Sequence, residues 1–85
     1  MPTKTVTVGS AAGLHARPAS VIAERAEELG SDVLLATPGG EPVDAASALM
    51  IMTLGAGQGD TVEVSGDDES AVATIAALVE QDLDA

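Results

Sequence analysis

Gly13-Leu14-His15-Ala16-Arg17-Pro18-Ala19-Ser20 marks the point at which this chain changes its period. Upstream, Lys4-Thr5-Val6-Thr7-Val8 alternates, with Lys4, Val6 and Val8 on one face and Thr5 and Thr7 on the other. That pattern predicts a half-buried strand. Gly9 to Leu14 is a small-residue loop. From about Ala16 the spacing becomes helical, with Ala19, Ile22, Ala26 and Leu29 in one stripe and Glu24, Glu27 and Glu28 largely off it. Pro18 fits a first helical turn, where a missing N–H costs no intrahelical bond. Gly30 is the stop signal.

The same stretch holds the sole histidine of the chain and one of its two arginines. Both fall at a helix mouth, where backbone N–H groups and the positive end of the helix dipole converge. Such a mouth binds anions, phosphate among them. It also disfavours protonation of a nearby imidazole, leaving it neutral and nucleophilic near neutral pH. His15 with Arg17 therefore reads as a histidine that carries a phosphoryl group. The alternatives are a capping or partly buried imidazole, and a surface arginine paired with a glutamate.

Working outward, Asp32 to Thr37 predicts a second strand and Pro38-Gly39-Gly40 a turn. Glu41 to Asp44 is a short third strand, which Pro42 confines to an edge. Ala45 to Leu54 reads as a second helix, with Ser47 near its start and Gly55 at its end. Thr61 to Ser65 alternates as a fourth strand. Gly66-Asp67-Asp68-Glu69-Ser70 caps a last helix, where acidic residues complement the N-terminus. Val72, Ile75, Ala76 and Val79 give that helix its buried stripe, with Leu78 flanking. The order β-α-β-β-α-β-α predicts a two-layer α+β sandwich, with helices over one side of a mostly antiparallel sheet.

Composition narrows the function. The 85 residues are read as one domain, residues 1–85, with enough apolar content for one core. There is no cysteine, so neither a disulfide nor a thiolate metal site is expected, and no metal or cofactor is called for. A net charge of −11, with no aromatic residue, argues against nucleic acid on both charge and stacking grounds. No run has the length of a signal peptide or membrane span, so a cytoplasmic location is expected; the chain is also expected to be a monomer. The acidity reads either as a solvated surface or as adaptation to a salt-rich cytosol.

The full pattern resembles the histidine-containing phosphocarrier (HPr) family of the bacterial phosphoenolpyruvate:sugar phosphotransferase system. The residues that carry the resemblance are Gly13-Leu14-His15-Ala16-Arg17-Pro18-Ala19, then Ser47-Ala48-Leu49-Met50 through Met52-Thr53-Leu54-Gly55, together with the element order. The resemblance implies an open-faced sandwich of three helices on a four-stranded antiparallel sheet, in the order 1-4-2-3. It implies that His15 accepts phosphate from phospho-enzyme I, which draws it from phosphoenolpyruvate. His15 then donates it to the A component of a sugar-specific enzyme II. Arg17 would contact the phosphoryl group, with backbone amides at Ala16 and Arg17 helping to hold it. The chain would be a carrier acting with these enzymes and not an enzyme that turns over alone. Ser47 aligns with a serine that a dedicated ATP-dependent kinase modifies in some lineages; a plain helix N-cap is the other reading.

A helix as short as the second cannot bury all of Leu49, Met50, Ile51, Met52 and Leu54, so part of it should form an apolar docking patch. The resemblance selects Leu14, Ala48, Leu49 and Met52 for partner docking. Charge is where this chain departs from many family members, with Glu24, Glu27 and Ala46 where basic residues are usual. Docking is therefore expected to lean on apolar contacts, or to operate where salt screens repulsion. The alternatives are a regulatory module on the same fold, and a phosphocarrier for a nitrogen-related or dihydroxyacetone kinase chain. His15 speaks against a module that only binds regulators.

Overall fold

The computed structural model describes residues 2–10, 13, 14 and 16–81. Four strands and three helices follow in the order β1 (Thr3–Thr7), α1 (Ala16–Leu29), β2 (Val33–Ala36), β3 (Val43–Asp44), α2 (Ala48–Met52), β4 (Thr61–Gly66) and α3 (Glu69–Glu80). The strands form one antiparallel sheet in the order β1-β4-β2-β3. The expected architecture and strand order are thus observed.

Register explains how the sheet acquires one wet and one dry face. Val6 pairs with Val62, and Val64 lies between Lys4 and Leu35. Period-two alternation sends Val6, Val62, Val64, Val33 and Leu35 to the helix side, where all are buried. Thr3, Thr5 and Glu63 face the other way and are exposed. The helices meet the dry face with Ala19, Ile22 and Ala26 of α1, Ile51 of α2, and Val72, Ile75, Ala76 and Val79 of α3. Leu29 and Leu78 pack at the margin of this core.

Three elements are shorter than their sequence pattern predicts; β2 spans Val33–Ala36 and not Asp32 to Thr37. The third strand spans Val43–Asp44 and not Glu41 to Asp44. Pro42 has no N–H for the ladder, so pairing begins after it. This strand does lie at the sheet edge. The second helix spans Ala48–Met52 and not Ala45 to Leu54. Asp44 takes the intervening amides: its side chain accepts from Ala46 N at 2.9 Å, and its carbonyl accepts from Ser47 N at 3.1 Å. This local turn competes with helix over Ala45 and Ala46. Ser47 then stands as an extended N-cap, its hydroxyl accepting from Met50 N at 3.3 Å.

Candidate functional site

The loop between β1 and α1 is seated by backbone contacts from two sides. On one side the end of α3 approaches: Gly9 N donates to Val79 O at 3.0 Å, and Ser10 Oγ donates to Gln81 O at 3.3 Å. On the other, the α2–β4 loop runs alongside. Val8 N donates to Asp60 O, Gly59 N to Val8 O, and Leu14 N to Ala56 O, each at 2.9 Å. Asp60 also folds its own loop, its carboxylate accepting from Gly57 N at 2.9 Å.

Glycine is required twice in this seat. A Cβ on Gly9 would come within 1.8 Å of Glu80 O. Gly13 has φ +80, and a Cβ there would lie 2.6 Å from Ala56 O. Both neighbours are backbone atoms, which cannot move aside as a flexible side chain can. In the sequence both glycines fall in a small-residue loop, and Gly13 also heads the motif that carries the resemblance, but neither signal shows the crowding. Their crowding depends on Glu80 and Ala56, far away along the chain.

His15 lies outside the described residues, between Leu14 and Ala16. Helix α1 begins at Ala16, immediately after it, as the proline signal predicts. Arg17 is exposed in the first turn. No acidic side chain occupies that turn. Helix α3 differs, since Glu69 opens it and the Asp68 carboxylate accepts from Ser70 N and Ala71 N. The positive end of α1 therefore has no carboxylate of its own first turn to compete with an incoming anion.

Leu14 corrects the expected docking set. It is 2% exposed and belongs to the core, and its amide is tied to Ala56. Ala48 is partly buried against the core, while Leu49 is 69% exposed and Met52 37%. Met50, which the sequence reading left unassigned, is 42% exposed. Ile51 alone within α2 is fully buried, and Leu49, Met50 and Met52 are the apolar side chains the helix leaves exposed. The late start of α2 at Ala48, after the Ser47 cap, sets this phase, and the turn-forming pair Asp44 and Ser47 is the sequence signal for it.

A depression of about 330 Å³ elsewhere is lined by Asp32, Leu34, Asp44, Gly66 and Asp67, none of them a residue of this loop or patch. Among the described residues no group of His, Cys, Asp or Glu side chains could hold a metal ion. Among them, too, no helix is long and apolar enough to cross a membrane.

Known proteins share this arrangement. The family model described as the PTS HPr component phosphorylation site matches residues 2–81. The chain is 42% identical over 78 residues to phosphocarrier protein HPr of Streptomyces coelicolor, covering 92% of this chain and 84% of that protein. It is 40% identical over 76 residues to phosphocarrier protein HPr of Haloferax volcanii, covering 88% and 85% respectively. A crystal structure of HPr-C-His from Thermoanaerobacter tengcongensis has the same fold, with a TM-score of 0.83 at 31% identity over 94% of this chain and 92% of that one. With its element order, strand order and helix-mouth loop, the chain belongs to the HPr family, the phosphocarriers of the phosphotransferase system.

Proposed function

We propose that His15 accepts a phosphoryl group from phospho-enzyme I, charged by phosphoenolpyruvate, and passes it to the A component of a sugar-specific enzyme II. The observation that carries this reading is the start of α1 at Ala16, directly after the sole histidine, with Arg17 exposed in a first turn free of acidic side chains. The imidazole nitrogen attacks phosphorus on phospho-enzyme I, forming an N–P bond as the donor–phosphorus bond breaks; it is then the leaving group when the enzyme II component attacks that phosphorus. Arg17 balances charge on the phosphoryl oxygens, and the amides of Ala16 and Arg17 donate to them. The chain, as one domain, works as a cytoplasmic carrier and monomer whose turnover belongs to the enzymes on either side. Those enzymes dock on Leu49, Met50 and Met52, with Ala48 at the margin.

Ser47 is proposed as a second, regulatory acceptor. Its position as N-cap of α2 lets a phosphate face a helix start while adding negative charge next to the docking residues.

The test uses phosphoenolpyruvate with catalytic enzyme I from the same organism, read by intact mass before and after acid. One phosphate is expected, lost in acid because phosphoramidates hydrolyse there while phosphoserine survives. His15→Ala should stay folded and take up none. Uptake by that variant at the wild-type rate rules the assignment out.

A further inference from the structure

We propose that Met50 and Met52 form an oxidation site, at which a peroxide-class oxidant converts exposed thioethers to sulfoxides and so weakens docking through α2. The effect on docking rests on the reading of α2 as the partner-binding helix. The selectivity of the site does not.

The chain has no cysteine, tryptophan or tyrosine, and it has three methionines. Cysteine thiolates and methionine thioethers are the side chains that two-electron oxidants attack most readily. Here the thioethers have no thiol to compete with them. Met1 lies outside the described residues. Met50 and Met52 are 42% and 37% exposed, and between them Ile51 is fully buried. The five-residue helix α2 thus turns its aliphatic anchor inward and keeps both thioether side chains at the surface. Leu49, 69% exposed, is the third large apolar side chain that α2 leaves at the surface, with Met50 and Met52 on either side of it.

The chemistry balances with peroxide as the only co-reactant. A sulfur lone pair attacks one peroxide oxygen and the O–O bond breaks. The departing hydroxide takes the remaining proton as water. Sulfur is oxidised by two electrons and the peroxide is reduced. The product carries a polar S=O group on a surface that must lose its water when a partner binds, and burying such a group without a matched donor is unfavourable. The helix itself is held by the Ser47 cap and by Ile51, neither of which reacts. Docking should therefore fail while the fold survives. Methionine sulfoxide reductases of both stereochemical classes reverse the step, two thiols becoming a disulfide with release of water.

The test treats the folded, full-length chain with hydrogen peroxide. Oxidised positions are mapped by peptide mass, and binding to enzyme I is measured before treatment, after it, and after the reductases. Expected are one added oxygen on each of Met50 and Met52, an affinity reduced about tenfold or more, a nearly unchanged urea midpoint, and recovery on reduction. A Met50→Leu, Met52→Leu double variant, compared with its own untreated state, should keep its affinity through the same treatment. The proposal is overturned if both methionines stay unmodified in the folded chain, or if the double variant loses affinity as wild type does. It is also overturned if full sulfoxide formation leaves binding unchanged while Leu49→Asp abolishes it. Should Leu49→Asp bind normally as well, the docking reading has failed and the proposed consequence of oxidation fails with it.

Discussion

At Gly13 two constraints coincide: a left-handed backbone and a carbonyl that would collide with any Cβ. Gly13→Ala must either strain φ or push the loop off Ala56, where Leu14 N is bound. Residues forced into such conformations cost on the order of 1–3 kcal/mol. The urea midpoint of Gly13→Ala should fall accordingly, and phosphoryl transfer should slow, since His15 follows two residues on. An unchanged midpoint would show that the loop relaxes without loss. Arg17 gives the opposite separation of fold and function. It is exposed, so Arg17→Ala should leave stability nearly intact. A single electrostatic donor removed from a reacting group typically costs about a hundredfold to a thousandfold in rate. Because the Arg17 site is open to solvent, we expect about tenfold to a thousandfold in rapid-quench transfer, in both directions. Kinetics within about twofold of wild type, outside that range, would make Arg17 an ordinary surface charge.

Among the elements, α2 carries the most consequence for its length. Leu49→Asp puts a charge into a surface that partner binding must desolvate, so affinity for enzyme I should drop sharply with little change in stability. The affinity of the wild type should vary only weakly with added salt, because the apolar residues of α2 dominate the contact. A steep salt dependence together with a tolerated Leu49→Asp would reverse that reading. The same helix shows where sequence reading succeeds and where it stops. Helices α1 and α3 are legible because their apolar residues recur at helical spacing over about two turns, and the stripes Ala19, Ile22, Ala26 and Val72, Ile75, Val79 are the buried ones. β3 and α2 are misjudged in length because short-range chemistry decides them: a proline without an N–H, and an aspartate that captures two amides. In the site, Arg17 and the start of α1 follow from local signals. The burial of Leu14 and the need for Gly9 and Gly13 do not, since they arise from backbone brought in by α3 and the α2–β4 loop.

Across the whole molecule, charge is the term that conditions can change most. Fourteen acidic residues face three basic ones in 85. Every carboxylate among the described residues is exposed, so none is shielded from added ions. Several are crowded: Asp32, Asp67, Asp68 and Glu69 line one depression between the start of β2 and the start of α3. Arg25 and Glu28 form a 3.3 Å pair with both side chains at least half exposed, an arrangement that contributes little. On the other side of the balance, the core is built from Val, Leu, Ile and Ala, without the large apolar area that aromatic residues bring. Repulsion is thus a sizeable share of a small net stability. Salt shortens its reach, from about 10 Å at about 0.1 M to about 3 Å at about 1 M ionic strength. The urea midpoint should therefore climb as sodium chloride is raised toward about 1 M. Urea is the denaturant to use, since it is uncharged, whereas guanidinium would itself screen the carboxylates. A flat midpoint would mean that exposure to water already disperses the carboxylate charge at low salt. Adaptation to a salt-rich interior would then have no physical basis in this chain.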